Sequence, residues 1–180
     1  MKETKSSDTL YITQTALVAS IALVLSYIEM LIPDIPFLLP GMKLGLSNIA
    51  VMFALSVLNL PSALFVCLVK AFFALIMRGF TAFLMSLCGG VLSCLVMFLL
   101  LSAKKMRFGY IGIGISGAFF HNFGQLLVSV ALTDKTVFAY TPVLCVSALV
   151  TGTLTAIVLY LVMPAVTKTK LFYSQNSSME

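Results

Sequence analysis

Five stretches of this chain, residues 9–28, 44–69, 79–103, 108–133 and 136–167, contain no Asp, Glu, Lys or Arg. Each reaches the ~20 residues that a helix needs to cross a hydrocarbon core of ~30 Å. Composition points the same way: 61% of the side chains are apolar and 9% charged, where a soluble domain carries about 25% charge. A cytosolic enzyme domain is thereby excluded. The expected class is one all-α bundle of membrane helices.

Prolines divide the charge-free stretches further. Asn59-Leu60-Pro61-Ser62 closes one helix and opens another, because proline is accepted at a first helical turn and not inside one. Thr141-Pro142 opens the last helix and Pro164 closes it. The sequence therefore predicts six transmembrane spans, Leu10–Ile32, Leu44–Leu60, Ser62–Met77, Ala82–Ser102, Gly109–Leu132 and Tyr140–Met163. Residues 1–9 form a cytoplasmic N-terminal segment, 10–163 the six-helix domain, and 164–180 a cytoplasmic polar tail.

Short-loop charge sets the orientation, since cytoplasmic loops carry excess Lys and Arg. With the N-terminus inside, seven basic residues (Lys2, Lys5, Lys104, Lys105, Arg107, Lys168, Lys170) face inward and three (Lys43, Arg78, Lys135) face outward. Both termini are expected inside. The net charge of +5 thus reads as topology and gives no sign of a nucleic-acid partner. No cleavable signal peptide is expected, because the first apolar segment is too long for one and five more spans follow. Cys67, Cys88, Cys94 and Cys145 lie inside spans without a C-x-x-C pair, so no metal site and no cofactor are expected.

The informative residues are polar ones at membrane depth. An ionisable group there costs ~2.5–3.5 kcal/mol on insertion scales and normally faces a partner or a wet cavity. At ~1.5 Å per residue, Glu29 lies about 5 Å, Asn48 about 6 Å and Lys70 about 10 Å below the outer ends of their spans. His121 and Gln125, one turn apart on the fifth span, lie about 18 and 24 Å from its inner end. All five fall in the outer half of the membrane, as the residues of an outward-opening pocket would. Glu29 alternatively snorkels to the interface. Lys70 alternatively pairs with Glu29 or with carbonyls as structural glue, and His121, Asn122 and Gln125 alternatively hold helices together. Gly89-Gly90, Gly112, Gly114, Gly117, Gly124 and Gly152 allow helices to approach closely.

Between the first two spans, residues 33–43 carry Pro33, Pro36 and Pro40 around Ile35, Phe37 and Leu38. Proline fixes φ and disfavours helix at the residue before it, so this loop is expected to be extended and stiff. It is either an interfacial loop on lipid headgroups or a lid, with Asp34, Phe37 and Leu38 over a bound molecule and Lys43 and Arg78 adding positive charge at the rim. That excess favours a ligand with anionic or acceptor groups.

Pro40-Gly41-Met42-Lys43-Leu44-Gly45-Leu46-Ser47-Asn48, Ser86-Leu87-Cys88-Gly89-Gly90-Val91-Leu92-Ser93, His121-Asn122-Phe123-Gly124-Gln125-Leu126 and Leu149-Val150-Thr151-Gly152 resemble the corresponding segments of the heptaprenyl diphosphate synthase component I family, also called the Gx transporter family. Cys88 stands where that family usually has alanine. The resemblance covers about residues 10–163 and implies a protein of the bacterial inner membrane. The family in turn is similar to the substrate-binding S components of energy-coupling factor importers, which have six spans, both termini inside and a small-residue face on the first helix for docking a transmembrane coupling subunit. Here Ala16, Ala19 and Ser20 would serve that contact, and ATPase subunits would be further partners. The candidate ligand-binding residues are Lys43, Asn48, Lys70, Arg78, His121 and Gln125, joined by Asn122 and Thr151 from the matching segments.

Catalysis by this chain alone is not expected. A magnesium–diphosphate site needs several carboxylate oxygens on a hard cation, and Asp8, Asp34 and Asp134 are isolated from one another. There is no P-loop, G-x-S-x-G or H-E-x-x-H motif. The leading expectation is a membrane-embedded binding subunit of a small-molecule importer. The alternatives are an accessory subunit for polyprenyl diphosphate or quinone synthesis beside a soluble catalytic partner, and an assembly protein of a membrane redox complex.

Overall fold

The computed structural model of the protein describes residues 2–32, 45–103 and 109–169, with side chains placed between residues 9 and 166. Six α-helices follow one another: α1 (Lys2–Leu31), α2 (Asn48–Val57), α3 (Leu60–Arg78), α4 (Phe80–Ser102), α5 (Tyr110–Leu132) and α6 (Thr141–Thr169), with a 3-10 helix at Lys135–Tyr140 before the last. Local chemistry explains the breaks. Asn59 caps α3 by accepting from the Ser62 amide at 3.0 Å, and Pro61 sits in the first turn, where its missing N–H costs nothing. Gly79 joins α3 directly to α4 at φ +86°, a left-handed conformation that a residue without Cβ adopts freely.

The helices form a ring with an axis. Going round, α1 touches α3, α3 touches α4, α4 touches α5 and α5 touches α6, while α2 touches all five. Among the described residues α1 and α6 make no contact, so the ring is closed there only through α2. Eight residues of α2 are buried, including Val51, Met52, Ala54 and Leu55. The outward faces are the reverse: Ile76, Leu99, Val150 and Leu161 are well exposed, as side chains in hydrocarbon would be. Five segments, Thr9–Leu31, Leu60–Arg78, Phe80–Ser102, Tyr110–Leu132 and Lys135–Val166, are long and apolar enough to cross a membrane. The protein is a multi-pass membrane bundle.

Two of the expected spans are corrected. Leu44–Leu60 is not a full crossing: its helix has ten residues, about 15 Å of rise or half a hydrocarbon core. Residues 45–47 form a turn before it, and Leu60 opens α3 instead. Pro164 does not end α6, which continues to Thr169 with the proline inside it; membrane helices tolerate this because neighbouring groups re-satisfy the freed carbonyl.

Glycine pairs set the tightest helix approaches. A methyl on Gly124 would lie 2.7 Å from the Gly89 Cα, across α4 and α5, and one on Gly152 would lie 2.4 Å from the Ile115 Cα, across α5 and α6. Gly114 faces Gly152 in the same seam, where its own methyl would lie 2.5 Å from the Gly152 carbonyl oxygen. Small residues of this kind let backbones meet.

Candidate functional site

Because α2 is short, the bundle axis beyond its N-terminus is left to side chains from the surrounding helices. A cavity of about 50 Å³ lies there, lined by Ser26, Glu29 and Met30 of α1, Ser47 before α2, Lys70, Phe73, Ala74 and Arg78 of α3, Ala82, Met85 and Ser86 of α4, and His121 and Gln125 of α5. Glu29, Asn48, Lys70, His121 and Gln125 are all buried, so five residues from four helices and a shared depth come together here. The volume is room for about four water molecules.

Glu29 is held by backbone. Its Oε1 accepts from the Gly45 amide and, at 3.3 Å, from the Leu46 amide. Gly45 has φ +84°, which turns two successive N–H groups toward one carboxylate; a residue with Cβ would be strained there and would press on Asn48 Nδ2 at 3.0 Å and His121 Cδ2 at 3.1 Å. Lys70 Nζ donates to Asn48 Oδ1 at 3.0 Å. Among the described residues no carboxylate lies within ion-pair distance of that ammonium. The alternative of a Glu29–Lys70 pair is therefore not what the geometry shows: one group takes amides and the other an amide carbonyl.

His121 Nε2 and Gln125 Nε2 are 2.6 Å apart, the i,i+4 spacing of one helix face. The imidazole rests on Gly89, where a methyl would lie 3.1 Å from Nδ1. Among the described residues, Asn48 Nδ2, His121 Nδ1 and Ser93 Oγ are buried without a hydrogen-bond partner. Buried polar atoms in native proteins are mostly satisfied, and two of these three belong to residues at the cavity.

Other candidates lie elsewhere. Asn122 Nδ2 donates to the Leu144 carbonyl at 3.1 Å and to Ser147 Oγ at 2.9 Å, and Thr151 Oγ1 donates to the Ser147 carbonyl at 2.8 Å. Asn122 thus ties α5 to α6, Thr151 bonds within α6, and neither lines the cavity. Asp34, Phe37, Leu38 and Lys43 lie outside the described residues. On α1, Ala16 and Ser20 are exposed, with Ser20 Oγ donating to the Ala16 carbonyl at 2.9 Å. Ala19 is corrected: it is 6% exposed and packs into the core with Val18 and Ala22, so it is not available to a partner.

Ser26, Ser47 and Ser86 line the cavity without having been expected. Ser26 was readable as one turn before Glu29 on the same face. A second polar cluster, also unexpected, sits at the other end of α1: Tyr11 Oη donates to Asn59 Oδ1 at 2.8 Å and accepts from Ser62 Oγ at 2.6 Å, and Thr15 Oγ1 is 2.9 Å from Ser62 Oγ. Every oxygen in it has a partner, as in a structural joint. Among the described residues no three His, Cys, Asp or Glu side chains gather as a metal site would require.

An all-α, multi-pass membrane protein with a small buried polar cavity on the bundle axis is thus the class that fold and site define. The sequence pattern of one family, heptaprenyl diphosphate synthase component I, matches residues 18–162, and the chain belongs to that family. No curated protein and no solved structure matches it.

Proposed function

We propose that this protein is a substrate-binding subunit of a small-molecule importer of the energy-coupling factor type, seated in the bacterial inner membrane with both termini inside. In this reading it is not an enzyme. It captures a micronutrient or precursor from outside in the outer half of the bundle, and a transmembrane coupling subunit and ATPase subunits act in trans. The carrying observation is the cavity above α2, which buries Lys70, His121 and Gln125 together in its wall, with Asn48 behind it holding Lys70 Nζ at 3.0 Å. Structural polar residues in membranes tend to be satisfied by one another, as in the Tyr11 cluster, whereas a binding site leaves donors for its ligand.

The family's description favours a second reading, a membrane accessory of polyprenyl diphosphate synthesis. One experiment separates the two: gentle extraction of the full-length protein from its host membrane, followed by native mass spectrometry. Co-extraction of a membrane coupling subunit with an ATPase supports the importer. A soluble prenyl synthase partner with no ATPase supports the accessory reading and refutes the first.

A further inference from the structure

We infer that the cavity holds an uncharged head group of the substrate, an N–H donor beside a carbonyl oxygen as in a carboxamide, ureide or lactam, set between Glu29 and Lys70; this rests on the binding-subunit reading and names the chemistry its site selects. Glu29 and Lys70 both line the cavity, and Glu29 is near enough for its charge to act on Lys70. The two form no ion pair, because each is tied elsewhere. Glu29 spends Oε1 on the Gly45 and Leu46 amides, while Oε2 takes no donor among the described residues. Lys70 Nζ spends one of its three N–H donors on Asn48 Oδ1. Ser26, Ser47 and Ser86 line the same cavity, and none of their hydroxyls has a partner among the described residues. Elsewhere in the bundle Thr13, Ser20, Ser56, Ser129 and Thr155 close on the carbonyl four residues back, an ordinary use of such residues in a helix.

No other charge tips this balance. Gln125 Nε2 only donates, so His121 Nε2, 2.6 Å away, accepts and the imidazole is neutral. Arg78 lies about 12 Å beyond Lys70 along α3, half-buried at the mouth, where water screens its charge. The groups left over are therefore a carboxylate that only accepts, an ammonium that only donates and three hydroxyls that do either. An anionic group among them would meet Glu29 and a cationic one Lys70, each losing to a like charge what it gains from the opposite one. A neutral donor–acceptor pair meets both walls, its N–H on Glu29 Oε2 and its carbonyl on Lys70 Nζ. A zwitterionic end would also meet both, but it brings two further charges to membrane depth. Size sets the limit: a cavity of about 50 Å³ is far below the ~300–1,000 Å³ of a site enclosing a whole drug-sized ligand. It encloses one functional group, and the remainder of the substrate lies beyond, toward Met30 and Phe73.

Acetate, acetamide and acetamidinium share one shape and differ in charge, so they serve as probes, with glycine as the zwitterion. The full-length protein in lipid nanodiscs is unfolded thermally in each at millimolar concentration and constant ionic strength. Acetamide is expected to raise Tm saturably and the other three are not. Amides of the urea type destabilise proteins in general, so a rise is not a solvent effect. Glu29→Gln leaves Lys70 alone at the cavity, and its response is expected to pass from acetamide to acetate, the half-maximal acetamide concentration rising about 10- to 100-fold. Lys70→Met leaves Glu29 alone and moves the response to acetamidinium. A purely structural role for the two residues would lower Tm in every probe without changing which one binds. Ser86→Ala keeps both charges and is expected to raise the half-maximal acetamide concentration about 2- to 10-fold, which carries the comparison if neither charge variant folds. The proposal is overturned if acetate, acetamidinium or glycine stabilises the wild type as well as acetamide does, if no probe raises Tm, or if the acetamide response is unchanged in every variant that folds. An ATPase co-extracted with a protein that ignores acetamide would leave the importer reading standing, and a saturable acetamide response without that partner would do the opposite.

Discussion

Gly152→Ala and Gly90→Ala are the same chemical change in the middle of two membrane helices, and the structure gives them opposite signs. Each gains about 0.5–1 kcal/mol from replacing a helical glycine. At Gly90 the new methyl would sit 3.5 Å from Cys67 Cβ and Sγ, ordinary van der Waals contact, so the gain remains. At Gly152 it would sit 2.4 Å from the Ile115 Cα and 2.7 Å from both the Gly114 oxygen and the Ile115 nitrogen. All three atoms are backbone, so no rotamer relieves the overlap and α5 and α6 must part by about 1 Å, a gap that already forfeits a quarter to a half of each dispersion contact along the seam. Overpacking of this kind costs about 1–3 kcal/mol. The helix term cancels between the variants, leaving the packing penalty as their difference, or about 2–12 °C in Tm at ~2–4 °C per kcal/mol for a chain of this length. The chain has no Trp, but Cys67 and Cys94 are buried, so unfolding is followed with a thiol-reactive dye. Equal melting of the two variants would refute the close α5–α6 crossing.

Further tests address the anchors of α1 and the topology. Glu29→Ala leaves the Gly45 and Leu46 amides without their acceptor and is expected to destabilise by about 1–3 kcal/mol, Glu29→Gln by less, because it keeps an oxygen. Hydrogen exchange at those two amides should accelerate in Glu29→Ala, and unchanged exchange would reject the assigned contact. Tyr11→Phe loses the bonds to Asn59 and Ser62 and should cost about 1 kcal/mol, whereas Tyr27→Phe, on a residue 49% exposed, should melt like wild type. The anchors are separated by the ~15 Å length of α2, so Glu29→Ala with Tyr11→Phe should be additive within about 0.5 kcal/mol; a larger coupling in thermal melts would contradict independent anchoring. In a background without the native cysteines, a cysteine at Thr133 should react with an impermeant maleimide from outside intact cells and one at Ser174 should not; the reverse labelling would invert the orientation.

Much of this architecture was readable because lipid punishes exceptions. A polar side chain in an apolar span must find company, which is why Lys70, His121 and Gln125 stood out and why they line one cavity. Asn122 misled because it is next to His121 in sequence; a helix turns about 100° per residue, and that rotation carries it to Ser147 on α6. Thr151 closes on its own helix at the Ser147 carbonyl, a common use of threonine. The partner of Glu29 was hidden for a different reason: a backbone amide is the same in every sequence, and Gly45 was its only local mark. The length of α2 was hidden too, since an apolar run reads alike whether it faces lipid or protein.

That short helix is where fold and site meet. Had α2 crossed the full ~30 Å, its upper turns would occupy the space that Lys70, His121 and Gln125 now border. Because it starts at Asn48 and is enclosed by the other five helices, its body fills the lower axis with Val51, Met52 and Leu55 while its first residue helps form the site. The same arrangement explains how α1 is held. Among the described residues α1 touches α2 and α3 and none of α4, α5 or α6, and two of its polar joints are Glu29 to the turn entering α2, and Tyr11 and Thr15 to the Asn59–Ser62 turn leaving it. The first joint borders the cavity and the second is remote from it. In the binding-subunit reading, anything that competed for the Gly45 and Leu46 amides would act on the Glu29 end of α1, which borders the cavity, and not on the Tyr11 end.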